Sequence, residues 1–212
     1  MNIVLIGASG FIGTALRNEA LARGHSVTAL VTRPEKIAAQ ANLTVVASDV
    51  MDVQKLSAQL HGFDAAIAAF SGHAQSEVLD YYLTGIGNII TAAKEARAPH
   101  LLVVGGAGSL EVAPGQLVID TPDFPPQYKA TAQGALQALE MLRRETALNW
   151  TMLSPSAVIA PGQRTGVFRT ALDRLLTRDD GSSSISVEDY AVAMIDELEE
   201  PVHPRKRFTV GY

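Results

Sequence analysis

Three glycines at a constant interval, Gly7, Gly10 and Gly13, are the residues whose spacing most directly implies contact with something other than the chain. A glycine can turn tightly and approach a neighbouring group because no Cβ stands in the way. At this spacing, where a strand gives way to a helix, Gly7 would permit the turn, Gly10 the close approach of a pyrophosphate, and Gly13 the packing of helix on strand. Ser9, Phe11 and Ile12 fill the rest of the loop. A helix starting here would offer unpaired N–H groups and a partial positive charge, which suit a bound diphosphate. A glycine triplet alone is also an ordinary strand–helix turn, so its surroundings have to agree.

They do agree. The run Ile3-Val4-Leu5-Ile6 reads as a strand buried on both faces, as parallel sheets require. A helix is expected over 11–23, with a stop at Gly24, and a second strand from Val27 to Val31. The position 20 beyond Gly13, where an acid would hold a ribose 2′-hydroxyl, is Arg33. A guanidinium there can pair with a 2′-phosphate through two parallel hydrogen bonds, and the Ser9 hydroxyl could join it. The expected cofactor is therefore NADP(H) in preference to NAD(H). A solvated strand-end charge is the plain alternative for Arg33, and Glu35 keeps NADH open.

Further elements must carry the rest of the dinucleotide. A short helix is expected over 35–40, a third strand over 43–47, a helix over 52–60 capped by Asp52, and a fourth strand over 65–70. Asp49 and Val50 follow the third strand where adenine would rest; Asp49 is either an acceptor for the adenine amino group or a turn residue. Phe70, Ser71 and Gly72 follow the fourth strand at the crevice where such sheets bind ligands; Phe70 is either part of that crevice or a core residue. A long helix over 77–97, a strand over 100–104, a glycine-rich flexible turn at 105–108, a long loop over 109–127, a helix over 128–146 and a strand over 150–153 come next. Residues 167–177 read as helical, Ser186 to Asp189 as a capping box opening a helix to Glu200, and 207–210 as a last strand. Strands alternating with helices predict an α/β, Rossmann-like, doubly wound parallel sheet. The expectation is one domain over 1–212, with about 155–212 forming a substrate-side cap.

Composition narrows the function. A net charge of −5 provides no basic footprint, so no nucleic-acid partner is expected. Arg205-Lys206-Arg207, the one basic cluster, reads as a solvated edge. The chain has no cysteine, which excludes thiol nucleophiles, disulfides and thiolate metal sites. No histidine pair has metal-ligand spacing, so no metal is expected. The first apolar run stops after four residues, which argues against a signal peptide or a membrane anchor and makes the cytoplasm the default location.

The loop Gly7-Ala8-Ser9-Gly10-Phe11-Ile12-Gly13, the strand ends at Arg33 and Asp49, the stretch Val103 to Ser109, Trp150 to Pro155 and the tail Arg207 to Val210 resemble the atypical short-chain dehydrogenase/reductase superfamily. Within it, the likeness is to compact NAD(P)H-binding proteins described as NADH-flavin reductases and to biliverdin/flavin reductases. Ser154 and Pro155, after the sixth strand, either form a wall near the nicotinamide or simply end the strand. The resemblance implies that Ser109 stands where the superfamily has its active-site serine, and that Tyr128 opens the helix facing the nicotinamide. His73 would lie near the same end and could touch substrate. Helices 77–97 and 128–146 could form a homodimer face, as they do in that superfamily.

The sequence departs from the superfamily in one respect. The usual proton donor is a tyrosine with a lysine four residues later, but Tyr81, Tyr82, Tyr128 and Tyr190 are followed at that distance by Gly85, Ile86, Ala132 and Met194. Reducing a simple ketone builds alkoxide charge and benefits from a positioned acid. Reducing a flavin or quinone spreads charge over a conjugated system, so proximity can supply most of the rate. A small-molecule acceptor of that kind, with flavin as one candidate substrate, is the expectation. A non-catalytic NADP(H) sensor and an epimerase- or dehydratase-like enzyme are the alternatives.

Overall fold

The computed structural model describes residues 1–72 and 77–212. Among them the chain forms β1 (Asn2–Ile6), α1 (Phe11–Ala22), β2 (Ser26–Val31), β3 (Leu43–Ala47), α2 (Val53–Leu60), β4 (Ala65–Ala68), α3 (Val78–Glu95), β5 (Leu101–Val104), β6 (Glu111–Ala113), β7 (Gln116–Leu117), α4 (Lys129–Arg144), β8 (Trp150–Ser154), β9 (Val158–Ala160), β10 (Arg169–Ala171), β11 (Ser184–Ser186), α5 (Val187–Glu199) and β12 (Lys206–Gly211). One eight-stranded sheet runs β10-β12-β8-β5-β4-β1-β2-β3. Its pairs are parallel except β10 with β12. This is the Rossmann-like α/β architecture, and its order reverses between β1 and β4, where such sheets bind ligands.

The four aliphatics of β1 show why the sheet is covered on both sides. Successive strand side chains point to opposite faces. Val4 and Ile6 enter a core with Leu56 of α2, Ile86 and Ile89 of α3 and Leu139 of α4. Ile3 and Leu5 enter the other core, with Leu16 of α1 and Tyr190 and Met194 of α5. All four are at most 2% exposed. Each contributes about 1.5–3 kcal/mol of burial, so a polar residue anywhere in the run would be costly.

Sequence reading and structure part company in several places. The helix expected over 35–40 is only a 3-10 turn at Pro34–Lys36. Ile37 is already extended and packs against the second core, which ends it. The loop over 109–127 contains the β6–β7 hairpin, turned by Pro114 and Gly115, the latter at φ 75°. The helix expected over 167–177 is absent. Arg169, Thr170 and Ala171 pair instead with Gly211, Val210 and Thr209. The free edge of β12 claims their backbone groups, and long-range pairing overrides the local apolar spacing.

The C-terminal stretch is more than a cover. α5 and β12 complete the main sheet and the second core. Ser186 caps α5 by accepting from Asp189 N–H at 3.0 Å, but the reciprocal half of the capping box is missing. The fully buried Asp189 carboxylate accepts from the N–H groups of Thr165 and Gly166 (2.7 and 2.8 Å) and from the hydroxyls of Thr165 and Tyr212 (2.6 and 2.8 Å). Burial pushes its pKa up, and these donors more than reverse that, holding the carboxyl below its ordinary value. Loop 161–168 is strapped down as a result, and Arg164 adds two 2.7 Å bonds to the buried Glu19 of α1.

Candidate functional site

The glycine loop shows which of its glycines the fold itself requires. Gly7 has φ +77°, and a Cβ on it would lie 2.5 Å from the Ala69 carbonyl oxygen. A Cβ on Gly13 would lie 2.1 Å from the Gly7 carbonyl oxygen. Gly10 differs: a Cβ there would meet only the Gly7 oxygen, at 3.4 Å, which is ordinary contact. The fold tolerates a side chain at Gly10, and the space it leaves open is available to a ligand.

Gly10 is also the N-cap of α1, with no side-chain cap, so the first N–H groups of Phe11, Ile12 and Gly13 are left for an anion. Ser9 and Phe11 are exposed, and Ile12 is half-buried. Arg17 steadies the loop from below by donating from Nη1 to the Ala8 carbonyl at 3.1 Å. Burial lowers its pKa, and its Nε has no partner among the described residues. Sequence spacing offered no signal for this residue beyond its lying one helical turn past Gly13.

Arg33 stands exposed after β2 and makes no side-chain hydrogen bond or ion pair among the described residues. Asp49 is exposed after β3 and accepts from Met51 N–H at 2.9 Å, a turn that leaves its second oxygen free. Val50 is buried in the first core, and its carbonyl accepts from Asn88 of α3 at 3.0 Å. After β4, Phe70 stacks on Tyr82 at 5.8 Å and leans on Tyr81 at 5.5 Å. Burial pushes the Tyr82 hydroxyl up to about 12, and burial with the nearby Asp49 charge raises that of Tyr81. Ser71 is exposed. Gly72 is needed by the chain itself, since a Cβ would lie 2.7 Å from the Val78 carbonyl of α3. His73 lies outside the described residues.

The other half of the edge gathers around the turn after β5. Its glycines were expected to give a flexible turn; they serve close packing instead. Cβ positions on Gly106 and Gly108 would come within 2.9 and 2.8 Å of Ala135 and Ala132, so α4 lies directly on the turn. Position 132, where the superfamily's lysine would stand, is thus a small buried residue wedged against Gly108. Tyr128, the N-cap of α4, is 57% exposed with no capping bond.

Ser109 is buried, donates to the Gly106 carbonyl at 3.3 Å and accepts from Arg207 Nη1 at 3.1 Å. Ser154 and Pro155, at the end of β8, are buried. The Tyr190 hydroxyl donates to the Leu153 carbonyl at 2.7 Å from below the edge, its pKa raised by burial. Arg207 corrects the reading of the basic cluster as a solvated edge: it is only 5% exposed.

Two cavities lie away from this edge. One of about 330 Å³ borders Asn2, Thr28, Thr44 and His61 at the opposite end of the strands, and one of about 440 Å³ lies between α5 and β12. Neither includes a residue of the glycine loop. Among the described residues no group of three or more His, Asp or Glu side chains is placed to hold a metal ion, and no helix is long and apolar enough to cross a membrane.

Comparison with known proteins agrees with this geometry. The model of a family described as NAD(P)H-binding matches residues 7–201. The uncharacterized protein YwnB of Bacillus subtilis is 39% identical over 99% of this chain and 98% of its own. A proposed epimerase from Bacteroides thetaiotaomicron is 43% identical, with a TM-score of 0.93 over 100% of this chain and 96% of that one. A proposed NADH-flavin reductase from Streptococcus pneumoniae is 34% identical, with a TM-score of 0.89 over 100% and 99%. With glycines that the fold requires, an open approach at Gly10 and a family match spanning nearly the whole chain, this protein belongs to the NAD(P)H-binding family.

Proposed function

We propose that the protein is an NADPH-dependent reductase that passes hydride to a flavin, a quinone or a similar conjugated acceptor. The observation that carries this reading is Ala132. Its packing on Gly108 occupies the position a lysine would need to activate Tyr128, and an acceptor that delocalises charge can do without that acid. The likeness to a proposed NADH-flavin reductase supports the same class.

The bound nicotinamide nucleotide supplies the hydride. The chain's part is to hold it: the α1 N-terminus and Gly10 take the pyrophosphate, Arg33 and Ser9 take a 2′-phosphate, and Asp49 with Val50 border the adenine. Phe70 and Ser71 line the path toward the nicotinamide, while Ser154 and Pro155 end β8 beneath the surface. Tyr128, exposed at the mouth, is placed to donate a hydrogen bond to the acceptor. Holding two conjugated rings in register is then the main source of rate.

The test is NADPH oxidation by the purified protein across a panel of flavins and quinones, against a protein-free control. Saturable turnover with one acceptor supports the reading and names its class. Tight NADPH binding without turnover on any acceptor would overturn it and leave the redox-sensor reading, which the missing lysine favours equally.

A further inference from the structure

Arg207 is a guanidinium placed inside the protein, on β12 opposite Met152. Its Nε donates to Asp173 Oδ1 at 3.0 Å, and its Nη2 pairs with the same oxygen. On the other side, Nη1 donates to Ser109 Oγ at 3.1 Å and Nη2 to the Ser109 carbonyl at 3.4 Å. One side chain therefore joins the last strand, the 172–175 segment and the turn after β5. Only the guanidinium end of this pair is buried, since Asp173 is 49% exposed, and an ion pair half open to water adds little stability, so holding segments together does not by itself account for a charge here.

The charge does set the direction of one hydroxyl. A serine hydroxyl has one proton and two lone pairs. With a guanidinium N–H on its oxygen, the Ser109 proton points away from Arg207. Its partner is the Gly106 carbonyl at 3.3 Å, a long bond that a better-placed acceptor would replace. The turn bearing it follows β5, on the far side of the switch point from the adenosine half, where the nicotinamide end of a dinucleotide must lie.

We propose that Arg207, clamped by Asp173, is a positioning residue for the nicotinamide half of the site: it presets the Ser109 hydroxyl as a donor to the carboxamide oxygen of the cofactor. The inference rests on the dinucleotide-binding part of the proposed function and not on the acceptor. Ser109 makes the contact, and Arg207 acts through it.

The experiment compares affinities for NADPH and for adenosine 2′,5′-bisphosphate, which carries the adenosine half alone, in the unsubstituted protein and in Ser109→Ala, Arg207→Met, Arg207→Lys and Asp173→Asn. Ser109→Ala and Arg207→Met are expected to weaken NADPH about tenfold, the size of one well-placed neutral hydrogen bond, while leaving the bisphosphate within about twofold. Arg207→Lys should recover part of the loss, and Asp173→Asn should show a smaller one. Unchanged NADPH affinity in Ser109→Ala overturns the proposal, and that variant keeps the Arg207–Asp173 pair should Arg207→Met fail to fold. Equal loss for both ligands with a lowered Tm also overturns it, since that is what a purely structural tie would do. Turnover plays no part, so a failed acceptor panel leaves the result standing. Failure of the unsubstituted protein to bind NADPH or NADH would overturn both readings.

Discussion

On the β1–β3 side of the sheet, the groups that would meet a nucleotide come from one short stretch of chain. Gly7, Gly10 and Gly13 follow β1 directly, and Arg33 ends the next strand. On the β5–β8 side, Ser109, Ser154, Asp173 and Arg207 come from four separate segments, and the Arg207–Ser109 bond spans 98 positions. The first half works through backbone: a turn, an open N–H cluster, a missing side chain. The second works through side chains, three of them buried, that the fold has to bring together. Phosphate recognition needs only the local geometry of a strand entering a helix, so it can be written in a few consecutive residues. Orienting a reacting end needs side chains from several directions, and it is written nowhere in particular.

The sharpest way to break this contrast is within the glycine loop. Gly13→Ala puts a methyl 2.1 Å from a backbone oxygen that cannot yield. It is expected to weaken NADPH binding at least about 100-fold, roughly 2.8 kcal/mol, and to lower the Tm. Gly10→Ala meets no clash, so its Tm should stay within about 2 °C while affinity falls about tenfold. Titration and thermal melts of the two variants check both. Should Gly10→Ala bind normally, the open space at Gly10 is not where the pyrophosphate goes.

Arg33→Ala comes next. Losing a charge-assisted pair worth about 1.5–3 kcal/mol should cut the NADPH/NADH affinity ratio about tenfold or more. An unchanged ratio would make Arg33 a solvated charge and return NADH to equal standing. Smaller still is Ser186→Ala, which removes the α5 cap and should cost about 1–2 kcal/mol in denaturant melts without changing NADPH affinity.

The pH dependence separates a buried histidine from two buried carboxylates. His100 is buried against Thr151, and burial holds its pKa below the ordinary 6.5, with Glu197 opposing in part. Below 6.5 the unfolded chain takes up this proton before the folded one, so stability should decline as pH falls from there toward the lowered folded value. His100→Asn should flatten that stretch of the profile. Asp189 and Glu19 act lower: both are held below their ordinary values, and their contribution, full above about 4, is lost as pH falls through the folded pKa. Equilibrium melts from pH 7 to pH 3 resolve the two steps.

Local pattern was enough for a good deal of this protein. The burial of β1 on both faces, the glycine spacing, the stop at Gly24, the Asp52 and Ser186 caps and the order of the main-sheet strands and α1–α4 through 154, apart from the short helix expected over 35–40 and the β6–β7 hairpin, could be read in sequence, because each depends on residues a turn or a strand apart. The candidate phosphate site was legible for the same reason, as was the missing lysine four residues after each tyrosine. What tertiary structure alone decided has distant partners. Residues 169–171 became a strand because β12 offered an open edge, and the Asp189 carboxylate left its capping role for the N–H groups of loop 161–168. Arg207 turned from an apparent surface charge into a buried clamp because Asp173 and Ser109 were brought to it. Sequence period reports which face a residue shares with its near neighbours; it carries no information about which remote group will satisfy a buried charge, and only the folded chain supplies that partner.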